Sequence, residues 1–464
     1  MEIKKNNIIS LEIISLGSDG EGIAKADGFP IFIKDSVPGD VCEVRITKVK
    51  KKLAYAKILR IIKPSKDRVE AACSVAGPCG GCTLQTLVYK GQLEYKRERV
   101  TECFVRIGGI DRKTVTGITD ETVGMEYPYR YRNKAQYPIG YDNSGELVAG
   151  FYAGRSHRIV SNGDCMLLPV EFAGICKALL DLMKEKGISA YDEETRVGLI
   201  RHLVLRKAFA TGEIMLVLVL TSESIPYEEE IIKILSAAGN VKTIVLNINR
   251  EDTNVILGRE NRIIYGKGYI TDTLCGLNYR ISPLSFYQVN PYIAAKLYET
   301  ALEFAGLTGN ETVWDVCCGI GTITLFLAGH CKKIRGIEII EDAINDAKVN
   351  AELNGIDNAD FIVGAAEDIL PKLTKANEDK PDVIILDPPR SGMERTALDA
   401  VIKAEPKRIV YVSCDPATLA RDVKILSDSC YELKRVRPFD QFCQSAHVEV
   451  VVMLSRAEGE ARAL

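Results

Sequence analysis

Trp314-Asp315-Val316-Cys317-Cys318-Gly319-Ile320-Gly321-Thr322 ends an apolar run and opens a helical pattern, and its reading decides the fold. Glycines where a strand turns into a helix let the backbone approach a ligand, and the helix N-terminus offers free amide donors. The third glycine of a dinucleotide fingerprint is missing, which argues against NAD. About twenty residues further on, Ile334–Glu338 places the acid Glu338 at the end of the next strand, where a carboxylate accepts two ribose hydroxyls. Ala366-Glu367-Asp368 follows a third strand, and Asp368 there can meet an adenine amino group. Val383–Leu386, Arg395–Ala404, Arg408–Val412 and Pro416–Leu426 continue the alternation of strand and helix. That order predicts a mostly parallel, doubly wound α/β sheet, closed by a hairpin over Tyr431–Arg437 and His447–Leu454.

The rest of the chain reads outward from this core. Its 464 residues suggest about three domains. At 46% hydrophobic it buries sizeable cores, which excludes global disorder. The formal charge of -3 leaves any nucleic-acid surface to local clustering. No apolar run approaches the ~20 residues of a membrane helix, and the N-terminus lacks the apolar core of a signal peptide. The fourteen cysteines are then expected to be reduced, catalytic or metal-bound, in a cytoplasmic protein.

Residues 8–62 read as short strands, among them Phe29–Ile33, Val41–Val49 and Leu53–Ile62, split by Gly17–Gly22 and Val37-Pro38-Gly39-Asp40. Such spacing suggests a small barrel, placed at 1–62. Arg45–Lys66 holds nine Lys or Arg and no acid. On a barrel this run could track a phosphate backbone, although a charge run alone more simply marks a solvated face. A central α+β domain is placed at 63–275, with a helix over Gln92–Ile107, antiparallel strands over Tyr127–Val160, a helix over Val170–Lys186 and two strands over Leu199–Leu220. Arg132, Lys134 and Tyr137 interleave base and aromatic, a composition suited to holding RNA. The doubly wound domain occupies 276–464.

Cys73 and Cys79-Gly80-Gly81-Cys82 form C-x5-C-x2-C, and Cys165 is a candidate fourth ligand. Four thiolates suit a four-iron cluster or structural zinc equally. The spacing does not match the C-x3-C-x2-C of radical S-adenosylmethionine enzymes. Cys42, Cys103, Cys176, Cys275, Cys318, Cys331 and Cys430 read most simply as free thiols.

The glycine loop with Glu338 and Asp368 in register resembles the Class I (Rossmann-like) S-adenosylmethionine-dependent methyltransferases. Asp387-Pro388-Pro389-Arg390 lies at the carboxyl edge of its strand, where α/β ligands bind. An acid and an arginine there, in place of Asn and an aromatic, argue against methylation of an exocyclic amine. Tyr411-Val412-Ser413-Cys414-Asp415-Pro416 places Cys414 where a strand becomes a helix, and a helix dipole there would favour thiolate. Together with Phe286-Tyr287-Gln288-Val289-Asn290-Pro291 and His447-Val448-Glu449, these strings resemble the RNA 5-methyluridine (uracil-C5) methyltransferase family over nearly the whole chain. The N-terminal barrel, with Pro38-Gly39-Asp40, looks like that family's TRAM domain.

The resemblance implies that Gln288, Cys317, Gly319, Glu338 and Asp387 line an S-adenosyl-L-methionine site, with Asp368 a weaker adenine contact. It implies that Cys414 is the nucleophile and Glu449 the base. The cysteine motif, with Gln85 three residues on, resembles the iron–sulfur site of the ribosomal branch, implying a 4Fe-4S cluster on Cys73, Cys79, Cys82 and Cys165. The expected substrate is 23S ribosomal RNA and the expected state a monomer. Two departures stand out: Cys317 replaces the family's usual Tyr, and Cys443 its usual Pro. Transfer RNA is the rival substrate. A 5-methylcytosine enzyme is disfavoured because the Asp387–Pro389 loop lacks cysteine, and a non-catalytic RNA-binding protein with a redox cluster is the rival of another class.

Overall fold

The computed structural model describes residues 3–154, 156–376 and 380–457. β1 (Ile8–Glu12), β2 (Ser15–Leu16), β3 (Gly22–Ala26), β4 (Phe29–Ile33), β5 (Val41–Val49) and β6 (Ala54–Lys63) form one sheet in the order β1-β5-β6-β4-β3-β2. The Ile14 amide donates to the Ile23 carbonyl at 2.8 Å, tying the chain after β1 back to β3 and curling the sheet closed. Inward residues Ile31, Ile33, Val44, Ile46 and Ala54 fill its core. Asp40, fully buried, fixes the β4–β5 turn by accepting from the Val37 amide at 2.7 Å, the Ser65 amide at 2.9 Å and the Arg68 guanidinium at 2.6 Å. Those donors outweigh its burial and hold the carboxyl below the usual range.

The central region begins with α1 (Tyr89–Arg106) and α2 (Arg112–Ile118). It continues with β7 (Lys134–Tyr141), β8 (Leu147–Tyr152), β9 (Ile159–Ser161), α3 (Glu171–Lys186), β10 (Ile200–Lys207), β11 (Ile214–Leu220), α4 (Glu228–Ser236), β12 (Val241–Ile248) and β13 (Glu260–Gly266). The strands make a seven-stranded sheet, β13-β12-β11-β10-β7-β8-β9, antiparallel except for the β11–β12 pair that α4 bridges. β11 is buried on both faces, which is why it reads as an unbroken apolar run. Leu216 and Leu218 pack on Phe172 and Leu179 of α3. Met215, Val217 and Val219 share a second core with residues of the C-terminal sheet. The hairpin of β14 (Ile270–Leu274) and β15 (Leu277–Ile281), turning at residue 275, inserts Tyr279 and Ile281 into that shared core.

The stretch Tyr127–Asn133, expected as strand, is not one; β7 starts only at Lys134. Pro128 supplies no amide, and Arg130 adopts φ 53°, left-handed and incompatible with a ladder. The backbone pairs instead with the segment after Cys165, Arg130 N to Met166 O and Arg132 N to Leu167 O, both 2.9 Å. Tyr137, expected as an RNA contact, points into the core against Phe151 with ring centroids 5.1 Å apart. Lys134 is half-buried beside Arg206 and Arg132, and its ammonium is pushed down to about 7, chiefly by burial. Tyr137 is therefore not placed to meet RNA at the surface.

The C-terminal region comprises α5 (Pro291–Ala305), β16 (Thr312–Val316), α6 (Thr322–Ala328), β17 (Lys333–Glu338), α7 (Glu341–Leu353), β18 (Ala359–Val363), α8 (Ala366–Ala376), β19 (Val383–Leu386), α9 (Arg395–Ala404), β20 (Arg408–Ser413), α10 (Pro416–Ser427), β21 (Tyr431–Phe439) and β22 (Glu449–Arg456). Its sheet order is β18-β17-β16-β19-β20-β22-β21, the first five parallel and β22 antiparallel between β20 and β21. The order reverses between β16 and β19, the switch point where such sheets open a ligand crevice at their carboxyl edge.

Candidate active site

Four parallel strands deliver residues to that edge. β17 ends at Glu338, and Cys317, Asp387 and Cys414 directly follow β16, β19 and β20. The register Ser413↔Val450 on the antiparallel β22 makes Cys414 and Glu449 the next facing positions, so the inserted strand brings them together. The resulting cavity measures ≈ 700 Å³. Gln288, Cys317, Gly319, Glu338, Asp387, Cys414 and Glu449 all line it. Asp368 does not: it is exposed in the first turn of α8, and its neighbour Glu367 faces the cavity instead. An acidic pair in sequence marked the position, but only the start of α8 decides which of the two turns inward.

The glycine loop is shaped by its donors. Cys317 and Cys318 amides give hydrogen bonds of 2.8 and 3.1 Å to the Ile337 carbonyl, and the Gly319 amide gives one of 3.1 Å to a Glu338 oxygen. The second Glu338 oxygen takes the Ile340 amide at 3.0 Å, so the carboxylate is held with lone pairs still turned to the cavity. A Cβ on Gly319 would meet nothing within 4 Å, leaving a cradle open to a bound molecule. Cys317 occupies φ 66°, a strained position for a residue with a Cβ.

Gln288 hangs from the loop before α5. Asn133 Nδ2 donates to its carbonyl at 2.9 Å and Gln441 Nε2 to its Oε1 at 2.8 Å, which leaves the Gln288 amide NH₂ as a donor into the cavity. The buried carboxyls beneath are strongly perturbed. Burial, then Asp315, pushes Asp387 up to about 8, and burial pushes Asp315 up to about 7. Glu449, 3% exposed, is raised well above the carboxylate range by burial and then by Asp387.

Cys414 departs from the expected helix-dipole activation. Asp415, the N-cap of α10, accepts from the Ala417 amide at 2.8 Å and the Thr418 amide at 3.1 Å, so its own carboxylate occupies the helix end. Burial and then Glu449 push the Cys414 thiol up to about 11. The opposing influence is Arg390, whose charge and hydrogen bond to the thiol favour thiolate. Arg390 also opposes the upward shift of Glu449. Arg390 thus lines the cavity as a cation that opposes both shifts, a placement that the sequence marked only as part of a loop.

The segment 440–447, which carries Phe442 into the cavity and leads to Glu449, is pinned from outside the sheet. Lys96 of α1 and Asp440 form a fully buried ion pair, and Tyr89 Oη donates to the same carboxylate at 2.7 Å. Gln92 Nε2 donates to Gln444 Oε1 at 3.0 Å, and Tyr131 Oη donates to the Cys443 carbonyl at 3.0 Å. Cys443 is wholly buried and gives its thiol proton to the Asp440 carbonyl at 3.2 Å.

Cys73, Cys79, Cys82 and Cys165 come together just behind this segment. Each of the other three thiols raises Cys82, and Cys73 and Cys79 raise Cys165, although burial is the larger cause for both. The Gly81 amide donates to Cys79 Sγ at 3.4 Å, and Asn162 Nδ2 lies 3.8 Å from Cys73 Sγ. Gln85 accepts from the Cys73 amide at 3.1 Å, and its side-chain hydrogen bond to Cys82 works against that thiol's upward shift. Among the described residues, no three or more His, Cys, Asp or Glu side chains are gathered closely enough to hold a metal ion. All fourteen cysteines are unpaired.

The sheet order, the switch-point crevice and the Glu338 carboxylate define an S-adenosylmethionine-dependent methyltransferase. Residues 224–457 match the family described as tRNA (Uracil-5-)-methyltransferase, and residues 5–59 match the TRAM domain. An uncharacterized RNA methyltransferase of Clostridium acetobutylicum is 45% identical, over 98% of each chain. Another, from Halalkalibacterium halodurans, is 46% identical over 97% of this chain and 98% of its own. The crystal structure of the Pyrococcus abyssi tRNA (uracil-54, C5)-methyltransferase in complex with S-adenosyl-L-homocysteine is 28% identical. It superposes with a TM-score of 0.77 over 96% of this chain and 99% of that one. The protein belongs to the RNA uracil-5-methyltransferase family, and RNA is its substrate. No helix among the described residues is long and apolar enough to cross a membrane.

Proposed function

We infer that the protein methylates carbon 5 of a uridine in 23S ribosomal RNA through a covalent adduct on Cys414. The observation that carries the reading is the meeting of Cys414, Arg390, Asp387 and Glu449 in one cavity with Gln288 and Glu338. S-adenosylmethionine, when bound, supplies an electrophilic methyl group. Gln288, Gly319, Glu338 and Glu367 are the residues that would hold it.

Uracil carbon 5 is a weak nucleophile. The Cys414 thiolate, stabilised by Arg390, adds to carbon 6, and the electron pair moves through carbon 5 onto the carbonyl oxygen as an enolate. Carbon 5 would then take the methyl group, the new carbon–carbon bond forming as the sulfonium sulfur–methyl bond breaks and S-adenosyl-L-homocysteine leaves. Glu449 removes the remaining carbon 5 proton, the double bond reforms, and Cys414 leaves as thiolate. Ionised beside Arg390, the buried Glu449 carboxylate is a strong base for that proton, because neutralisation relieves its desolvation. The base must reach this cavity unpaired and flipped out.

A 4Fe-4S cluster on Cys73, Cys79, Cys82 and Cys165 is part of the same proposal and rests on the C-x5-C-x2-C spacing. With four protein ligands the cluster is structural. The cysteine set favours 23S rRNA, while the named substrate of the Pyrococcus relative keeps transfer RNA as the second reading. The protein is proposed to act as a cytoplasmic monomer. Incubation with unmodified rRNA and unmodified tRNA transcripts, followed by mass-spectrometric mapping, tests the assignment. 5-Methyluridine in the rRNA alone supports it; 5-methyluridine in the tRNA alone overturns it.

A further inference from the structure

A second cavity, of ≈ 490 Å³, lies between the N-terminal barrel and the cysteine site. One side is the outer surface of β4, β5 and β6, contributing Phe32, Lys48, Lys50 and Tyr55. The other is backbone and side chain of Cys79, Gly80, Cys82, Thr83 and Gly154. Nothing in the methyl-transfer mechanism uses it.

Its barrel wall is an ordered row. Phe32 on β4 is paired with Tyr55 on β6, and Tyr55 is paired with Lys48 on β5. Directly paired residues share one face of a sheet, so two rings and a cation stand side by side. The rings lie 5.9 Å apart with a 37° tilt, a continuous aromatic platform. Lys50 holds its ammonium 5.5 Å from the Tyr55 ring centre, exposed and free to swing outward. The acids Asp19, Glu21 and Asp35, from the loops before β3 and after β4, line the cavity too, the Glu21 carboxylate lying near the Phe32 ring beside Gly17, while Lys48 and Lys50 flank Tyr55 at the end of β5 and just beyond it. Aromatic faces bordered by lysines on a small barrel are the chemistry that binds unpaired nucleotides, by stacking on the ring and phosphate contact beside it.

We propose that this cavity holds an unpaired nucleotide of the RNA substrate, its base stacked on Tyr55 and Phe32 and its phosphate held by Lys48 and Lys50. An incoming base displaces Lys50 from the ring face towards the phosphate. The nucleotide seated here is distinct from the target uridine, because Cys414 and Glu449 lie in the other cavity. The inference rests on RNA being the substrate, and it makes the barrel a reader of single-stranded structure rather than only a charged surface.

The test uses the full-length protein and a fluorescein-labelled single-stranded RNA of mixed sequence. Tyr55→Ala should bind about tenfold more weakly, the loss of one stacked base, with an unchanged salt slope. Tyr55→Phe should bind like wild type, since the ring is kept. Lys48→Ala should lower the salt slope by about one unit. S-adenosylmethionine affinity should be the same in all three. Tyr55→Ala binding RNA as tightly as wild type would overturn the proposal, as would a Tyr55→Phe protein as weak as Tyr55→Ala. Should Tyr55→Ala fail to fold, photocrosslinking of wild type to 4-thiouridine-containing RNA decides the matter. Crosslinks at Phe32 or Tyr55 support the pocket, and crosslinks confined elsewhere overturn it. Failure of the uracil reading would show differently, as RNA bound with these same ring effects but never methylated.

Discussion

Lys96→Met should destabilise the C-terminal domain from a position in α1. Both partners of the Lys96–Asp440 pair have no solvent exposure. Removing the cation leaves the carboxylate buried with the Tyr89 hydroxyl as its remaining side-chain donor, at 2.7 Å. Breaking one side of such a pair costs about 3–5 kcal/mol, because the surviving charge stays desolvated. At roughly 2–4 °C per kcal/mol for a domain of this size, the melting temperature should fall by about 10 °C. Asp440 anchors the segment that leads to Glu449, so amide hydrogen exchange over 440–447 should accelerate as well. Adding Asp440→Asn removes the stranded charge, and the double variant should recover most of the loss. Thermal unfolding followed by circular dichroism reads both effects. A Lys96→Met protein that melts within about 2 °C of wild type would refute the reasoning. So would a double variant whose loss equals the sum of the two single losses.

Three further outcomes follow from the site. Asp387, pushed up to about 8, is protonated in the ligand-free protein below that pH; a bound sulfonium favours its carboxylate, so S-adenosylmethionine binding should release a proton and tighten as pH rises towards about 8, then level off. Calorimetry in buffers of different ionisation enthalpy checks this, and Asp387→Asn should flatten the profile. Gly336→Ala would set a Cβ 2.7 Å from Phe361 Cδ1 and 2.8 Å from Cys318 Sγ, and should cost about 1–3 kcal/mol in urea unfolding through overpacking. Anaerobically purified protein should be brown and carry about four iron atoms per chain on Cys73, Cys79, Cys82 and Cys165; stoichiometric zinc without iron would count against the cluster.

The parts of the molecule legible in sequence are those where one local pattern forces one structure. The Val313–Val316 run with Gly319 and Gly321, and the bare alternation of strand and helix after it, already prescribe the crevice. Phe29–Ile33 and Val41–Val49 are strands with the expected bounds, because turn residues close them on both sides. Between residues 228 and 281 one helix and four strands form without so clear a signal. β12 is buried on nearly every residue and reads like a core helix segment, whereas β14 and β15 gain their order by packing on the C-terminal core. The choice between Glu367 and Asp368 depended on a helix start, the least legible feature of any sequence. Arg390 and the Lys96–Asp440 anchor were invisible for another reason. Their roles depend on partners 24 and 344 positions away, in Cys414 and Asp440, which only the folded chain brings near.

The central claim is that Cys414 attacks and Glu449 resolves, two roles at opposite ends of one reaction. Glu449→Gln keeps the shape of the buried side chain but cannot take the carbon 5 proton. Addition and methyl transfer should proceed, elimination should stall, and a methylated protein–RNA adduct should survive denaturing electrophoresis. Cys414→Ala should bind RNA and form no adduct, and the adduct should vanish in the double variant. The most direct measurement is therefore denaturing electrophoresis of Glu449→Gln, with and without Cys414→Ala, after incubation with S-adenosylmethionine and unmodified substrate RNA. A methylated adduct in the single variant and none in the double is the predicted result. Wild-type turnover by Glu449→Gln, or an adduct that persists without Cys414, would contradict the account.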